Sequence, residues 1–324
     1  MEWQEKNIIF IISLPRSGST MLQRLLAMHP SVCTTSESWL LLPQIYALKE
    51  LHTFSEYNST AASRAIKDYC NYLEGGISYY NSAVKQLFIS LIKNTAKNSE
   101  TIYLEKTPRN NLIIEEIYDI LPNSKYIFLW RNPAAVVSSM IESFADGKWN
   151  LHRHEIDVYK GLENMINAKK LNIKNRIDIR YEDFVKEPQK YLRSLFEFIG
   201  IENNIKIEGF SDKTLPGRMG DKSGLKKYNS VSARSINDWK NTYCNVLRRK
   251  WLIKYLNNIG SERLKEYGYS KDEILRELQT QKNNSKLMND LVRMLYGRLD
   301  RKYHISTIRR ISKSTGKKRT YALQ

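Results

Sequence analysis

The sequence predicts an α/β fold with a central parallel sheet flanked by helices, and three observations predict it. Short β-branched and aromatic runs recur at Asn7–Ile12, Thr101–Leu104, Lys125–Trp130 and Arg176–Tyr181. The first and third are nearly continuous in apolar residues, as strands covered on both faces are. Stretches with apolar residues at helical spacing separate the runs, the order expected of βαβ units. Each run also ends in a turn rich in Ser, Gly, Pro or charge.

The elements follow in order. After the Asn7–Ile12 strand comes the polar turn Ser13–Thr20, then Met21, Leu22, Leu25, Leu26 and Met28 at helical spacing, stopped by His29-Pro30. Trp39 to Lys97 reads as mostly helical, with a break at Gly75-Gly76. The second strand, Thr101–Leu104, runs into Glu105-Lys106-Thr107-Pro108. The third, Lys125–Trp130, runs into Arg131-Asn132-Pro133 and a helix from Ala134 to Phe144. The fourth, Arg176–Tyr181, precedes Glu182-Asp183-Phe184 and a helix over Tyr191–Ile199. Beyond Gly200, Leu215–Tyr228 reads as a loop, and Ile236–Asn258 and Glu262–Tyr267 as helical. Leu287, Leu291, Val292, Met294, Leu295 and Leu299 predict an amphipathic helix.

Composition narrows the class. Apolar residues make up 41% and charged residues 27% of the 324, which excludes global disorder. The three cysteines, Cys33, Cys70 and Cys244, are too dispersed for a disulfide framework or a zinc module, so a reducing, cytoplasmic setting is expected. The Ile8–Leu14 run is too short to cross a bilayer, and no secretory signal is read. The net charge of +18 is uneven: residues 299–324 hold eight Lys/Arg against Asp300 alone. Much of the excess therefore belongs to the tail, which is suited to an acidic partner or an anionic membrane surface.

Ligands of open parallel sheets bind at the carboxyl ends of the strands. Three of those ends carry a cation here: Arg16, Lys106 and Arg131. The pattern suits an anionic ligand with phosphate-like groups. In the first turn, helix N-terminal N–H groups, the absence of a Cβ at Gly18, the hydroxyls of Ser17, Ser19 and Thr20, and the Arg16 guanidinium form a candidate phosphate cradle. A nucleotide triphosphatase motif, G-x-x-x-x-G-K-[ST], would place Lys where Ser19 stands and Gly where Ser13 stands. The Lys125–Trp130 strand ends in Arg131 rather than a magnesium-binding Asp. Two anionic groups held without a metal fit these residues better.

These residues resemble the sulfotransferases that use 3′-phosphoadenosine 5′-phosphosulfate, in their bacterial and Golgi-type branch, and especially the tyrosylprotein sulfotransferases. Pro15-Arg16-Ser17-Gly18-Ser19-Thr20 is similar to the branch's P-R-S-G-T-T loop for the 5′-phosphosulfate. Arg131 with Ser139 eight residues on resembles the 3′-phosphate motif. Arg180-Tyr181-Glu182-Asp183-Phe184, followed by Pro188 and Phe198-Ile199-Gly200, resembles the Y-E-D-L…P…F-L-G block. Ile236-Asn237-Asp238-Trp239-Lys240-Asn241 resembles the late G-D-W-K-N segment of the cytosolic members. The blocks keep the family's order across residues 7 to 270.

The resemblance implies a P-loop-like three-layer fold over 1–270, with acceptor-side helical segments at 40–97 and 146–172 and a helical, basic extension at 271–324. It implies sulfuryl transfer from 3′-phosphoadenosine 5′-phosphosulfate, leaving 3′,5′-adenosine bisphosphate, to a hydroxyl or amine acceptor, in line and without metal. The donor would be held by Arg16, Ser17, Gly18, Ser19, Thr20, Arg131, Ser139 and Tyr181. The family's late R-K-G is missing; Ser232-Ala233-Arg234-Ser235 stands there, with Arg234 the candidate substitute. Glu37, twenty-one residues after Arg16, matches the branch's general base, and Lys106 and Arg16 would stabilise transferred and leaving-group charge. Cytosolic members place a His base in K-x-H-x-P; Glu105-Lys106-Thr107-Pro108 keeps the Lys and lacks the His, in favour of Glu37. The acceptor stays open among small molecules, carbohydrates and peptides, and no specific nucleic acid is expected. Two other classes remain. A P-loop kinase or other nucleotide phosphotransferase would require magnesium. A non-enzymatic anion or nucleic-acid binder would bind polynucleotides with steep salt dependence.

Overall fold

Ile8 to Ser13 form β1, and all six side chains are buried. That is what a central strand with helices on both faces requires, and it explains the unbroken apolar run. In this computed structural model residues 3–51, 53, 55, 57–97, 100–202, 215, 236–278 and 286–308 are described. Following β1 are α1 (Ser19–Leu26), β2 (Val32–Thr34), α2 (Leu41–Tyr46), α3 (Ser59–Cys70) and α4 (Gly76–Lys93). Next come β3 (Ile102–Glu105), α5 (Ile114–Ile120), β4 (Lys125–Trp130), α6 (Pro133–Ala145) and α7 (Leu162–Asn167). β5 (Arg176–Arg180), α8 (Tyr181–Lys186) and α9 (Pro188–Ile199) follow, then α10 (Trp239–Thr242), α11 (Val246–Ile259), α12 (Ser261–Tyr267), α13 (Lys271–Leu278) and α14 (Leu287–Tyr303).

The chain divides into two compact units. The first holds Met1–Asn132, Asp157–Ile236 and Glu266–Gly268; the second holds Pro133–Ile156, Asn237–Lys265 and Tyr269–Gln324. The described part of the expected 271–324 extension thus lies in one unit with residues 133–156 and 237–265.

In the first unit five parallel strands run in the order β2-β3-β1-β4-β5. On one face Ile9, Ile11, Ile127 and Leu129 pack with Leu22 and Leu25 of α1, Phe184 of α8 and Phe196 of α9. On the other, Phe10 stacks on Tyr126 at 5.4 Å and on Phe88 of α4 at 6.1 Å. Alternate residues of β1 therefore feed two cores. The order also fixes where a ligand can enter. From β1 the chain leaves toward β2, and from its neighbour β3 it leaves the opposite way, toward β4. The carboxyl ends of β1 and β3 flank the switch point.

Four details differ from the expectations. β2 is an additional short strand; three residues, Val32-Cys33-Thr34, are too few for a periodicity signal. α1 begins at Ser19, within the expected turn, because Gly18 supplies the left-handed residue that starts it. Tyr181 opens α8 rather than closing β5. The expected Ile236–Asn258 helix is interrupted between α10 and α11, where the Asn245 side chain accepts from Arg248 N–H at 3.1 Å and caps the second piece.

In the second unit, Tyr243 donates its hydroxyl to the Ala134 carbonyl at 3.0 Å, and Ser138 and Thr242 share a hydrogen bond of 2.6 Å. α14 docks through Asp290, Gly297 and Asp300, its buried residues.

Candidate active site

The turn after β1 is shaped by backbone conformation that its sequence permits only in part. Arg16 sits at φ +70 and Gly18 at φ +91, followed by the first turn of α1. At Gly18 the glycine is required twice over. The left-handed φ disfavours any Cβ, and a Cβ there would fall 2.5 Å from Cε2 of Tyr181. The Tyr181 ring is thus pressed against the turn. On the same ring lies the Arg131 guanidinium, 4.2 Å from the centroid, and one of its N–H groups donates to the Arg16 carbonyl at 2.7 Å. Tyr181 therefore seats both the turn after β1 and the cation after β4. It is 5% exposed and supports the site by packing.

Glu182, beside it, accepts from the Asn132 N–H at 2.9 Å and fixes the turn that carries Arg131. The Asn111 side chain donates to the Ser13 carbonyl at 3.3 Å and ties the turn after β1 to the segment following β3. Two polar atoms in this cradle are buried without a hydrogen-bond partner among the described residues: Ser17 Oγ and Arg131 Nε. A buried donor left unmet costs free energy on the order of 1–3 kcal/mol. An anionic ligand would satisfy both, so the residues present fit a bound phosphate or sulfate ester. Ser19 is 4% exposed, and Arg16 and Thr20 are half-buried.

At the end of β3, Lys106 is 1% exposed. Its ammonium donates to Glu37 Oε1 at 3.2 Å, while the Trp39 indole N–H donates to Oε2 at 3.2 Å. Trp39 holds φ +55, and its backbone N–H donates to Thr107 Oγ1 at 3.2 Å. The Thr107 hydroxyl in turn donates to Glu105 Oε1 at 2.7 Å, and the Asn110 amide to the same oxygen at 3.3 Å. Burial pushes the Glu105 carboxyl above the usual range, against the opposing pull of those donors and of Lys106. Glu105 thus anchors the segment that orients Glu37 and Lys106. Sequence reasoning missed Trp39, Thr107 and Glu105 as supports; only their adjacency to Glu37 and Lys106 could have signalled them.

Of the residues singled out from sequence, Arg16, Ser17, Gly18, Ser19, Thr20, Glu37, Lys106, Arg131 and Tyr181 all fall in the first unit, at or beside the carboxyl ends of β1, β3 and β4. Ser139 lies half-buried on α6 in the second unit. Its neighbour Ser138 is 5% exposed and shares a hydrogen bond with Thr242. Arg234, with the rest of the Ser232–Ser235 stretch, lies outside the described residues. His152 and His154 face Tyr296 and Phe144 respectively, and no cluster of three or more metal-ligating side chains occurs among the described residues.

A parallel sheet with a cationic, glycine-bearing turn at its switch point fits an anion-binding α/β protein, and comparison with known proteins makes the class specific. Residues 8–204 match the model of the sulfotransferase family. The chain belongs to that family, whose members are enzymes of sulfate transfer. Among curated relatives it is 29% identical to the nodulation protein NoeE of Sinorhizobium fredii over 135 residues, 41% of this chain and 30% of that one. It is 25% identical to protein-tyrosine sulfotransferase 1 of Danio rerio over 61% of this chain and 54% of that one. With the protein-tyrosine sulfotransferase of Drosophila melanogaster it shares 24% identity over 73% and 47% of the two chains. The chain thus spans about half or less of the length of these relatives. The sulfotransferase domain from the curacin biosynthetic pathway shares the fold, at TM-score 0.51 and 24% identity over 73% of this chain and 91% of that one. The resemblance read from the motifs and these similarities agree on the family and on the tyrosylprotein branch as kin.

Proposed function

We propose that this chain transfers a sulfuryl group from 3′-phosphoadenosine 5′-phosphosulfate to an acceptor hydroxyl or amine, with Glu37 as general base and no metal. The observation that carries the reading is the cradle itself: Ser17 Oγ and Arg131 Nε, buried and without a partner among the described residues, and the Lys106–Glu37 pair. The donor supplies an activated sulfuryl group on a phosphate leaving group. The chain's own residues do the rest. The Ser17–Thr20 turn and the start of α1 direct N–H and O–H donors at the 5′ end, and Arg131, with Ser139 and Arg234 as candidate partners, holds the 3′-phosphate. Glu37 accepts the acceptor's proton on a carboxylate oxygen. Lys106 and Arg16 offset the negative charge that develops on the transferred and departing oxygens.

The protein-tyrosine sulfotransferase relatives make a peptide phenol the first acceptor class to assay, ahead of sugars and small alcohols. Cys33, Cys70 and Cys244 carry no disulfide, which supports a reducing, cytoplasmic setting. The test is calorimetric titration with 3′,5′-adenosine bisphosphate in EDTA, against ATP with magnesium. The expected result is metal-free bisphosphate binding, weakened about a hundredfold by Arg131→Ala, since truncating one side of a buried charged contact costs roughly 2–5 kcal/mol. No bisphosphate binding, or a preference for Mg-ATP, would overturn the reading in favour of a phosphotransferase.

A further inference from the structure

The last described helix is docked inside out. α14 turns Asp290, Gly297 and Asp300 into the second unit and leaves its apolar side in solvent. Met288 is 71% exposed, Val292 62%, Leu295 50%, Leu299 52% and Tyr303 54%. At about 100° per residue these five positions form one stripe along the helix, opposite the buried face. A stripe of that kind is normally what a helix buries. Here the docking is done by polar chemistry instead. Arg248 grips Asp290 through two hydrogen bonds of 2.6 and 2.9 Å, Arg293 donates to Asn150 at 2.9 Å, and Arg301 pairs with Glu155. The sequence therefore spends its ion pairs on orienting the helix and keeps the apolar side outward.

Charge identifies the occupant. The acidic residues of α14, Asp290 and Asp300, are both buried, while Arg298, Arg301 and Lys302 are exposed. The sequence that follows adds Arg309, Arg310, Lys313, Lys317, Lys318 and Arg319 without a single acid. A second copy of the same helix would bring like charges face to face. An anionic bilayer would receive the apolar stripe among its acyl chains and the cations among its headgroups, with Lys302 and Arg298 extending from the rim of the stripe. No described helix is long and apolar enough to cross a membrane, and α14 has the composition of one that lies in the interface. We infer that α14, with the basic sequence after it, is a membrane-surface anchor that binds anionic lipid. The inference stands independently of the proposed reaction.

The experiment is sedimentation of the full chain with vesicles of phosphatidylcholine, with and without phosphatidylserine, at physiological and at high ionic strength. The expected result is binding to the phosphatidylserine vesicles that falls at high salt. Val292→Glu and Leu299→Glu should each weaken it about tenfold or more, since each removes an apolar side chain from the buried stripe. Both positions are exposed, so unfolding midpoints and bisphosphate binding should match the parent and show that the fold is intact. Binding that is absent, or unchanged by both substitutions, would overturn the proposal. So would a concentration-dependent dimer in light scattering that Leu299→Glu dissociates, which would assign the stripe to a second copy.

Discussion

Each unit carries a buried ion pair, and the two are built to opposite specifications. Arg248 and Asp290 in the second unit are 1% and 0% exposed. They are densely hydrogen-bonded: the guanidinium bridges both carboxylate oxygens and donates to the carbonyls of Thr242 at 2.9 Å and Gly147 at 2.8 Å, and Asn245 donates to Asp290 at 2.7 Å. In the first unit, Lys106 and Glu37 meet across a long 3.2 Å contact with Glu37 14% exposed, and in the cradle Ser17 Oγ and Arg131 Nε have no partner among the described residues. Desolvated charges that serve the fold must have their capacity filled, because no water will fill it. Charges that serve a ligand must hold some capacity back. The comparison marks Arg248–Asp290 as a fastener; under the proposed function Lys106–Glu37 is the working pair.

Glu37→Gln breaks the comparison on the functional side with the largest effect. If Glu37 is the base, turnover falls by about 10²–10⁴-fold, the typical share of a positioned acid or base. Bisphosphate affinity and the urea midpoint should stay near the parent values, because Gln keeps the shape and its one carbonyl oxygen can still accept from Lys106, with only the Trp39 bond given up. Turnover within a few-fold of the parent would remove Glu37 from that role.

Asp290→Ala breaks it on the structural side. It strands the Arg248 guanidinium and leaves Asn245 without its acceptor, so the second unit should lose about 3–5 kcal/mol of stability. Equilibrium urea unfolding followed by tryptophan fluorescence checks the loss.

Gly18→Ala sharpens the comparison at the cradle. A left-handed φ of +91 and a Cβ 2.5 Å from the Tyr181 ring push the turn and ring apart, and Arg131 rides on that ring. Strain of this kind costs about 1–3 kcal/mol, so bisphosphate affinity should drop by about tenfold or more in the same titration. An unchanged affinity would mean that the ring does not seat the cradle.

How much of this was legible in the sequence depends on the range over which each feature is encoded. β1, β3 and β4 were legible because buried parallel strands write themselves as local apolar runs, β5 because Ile177 and Ile179 alternate with polar residues, and the turn after β1 because its glycine and hydroxyls are contiguous. Strand order was not, since pairing β3 with β1 joins residues nearly a hundred positions apart, as in Ile8 with Tyr103. Tyr181 could be read as either a ligand contact or a packing residue. Its closeness to Gly18 and Arg131 shows what the ring packs on, and that closeness is tertiary. Trp39 and Thr107 escaped notice for the same reason: their roles are hydrogen bonds across sequence gaps. α14 is the sharpest case. Its periodicity predicted an amphipathic helix correctly and said nothing about which side would dock, because the decision rests on Arg248, forty-two residues away.

The smallest effect tests how firmly that docking is held. The His152 imidazole lies 3.4 Å from Asp300 and approaches Gly297 so closely that a Cβ there would sit 3.0 Å from Nδ1. Burial pulls the His152 pKa below its ordinary 6.5, aided by Arg153 and Arg301 and opposed by Asp300. With the folded value depressed, the unfolded chain binds the proton first as acid is added. The second unit should therefore lose stability as the pH falls through about 6.5, and the decline should level off once the folded value is also passed. Protonation would also crowd the ring against the helix backbone, so limited proteolysis near α14 should quicken over the same range. Urea midpoints from about pH 8 to pH 5 check the slope, and His152→Asn should flatten it. A slope that survives the substitution would assign the pH sensitivity to another group than His152, and not to carboxylates raised by burial such as Glu105, which favour the fold as pH falls.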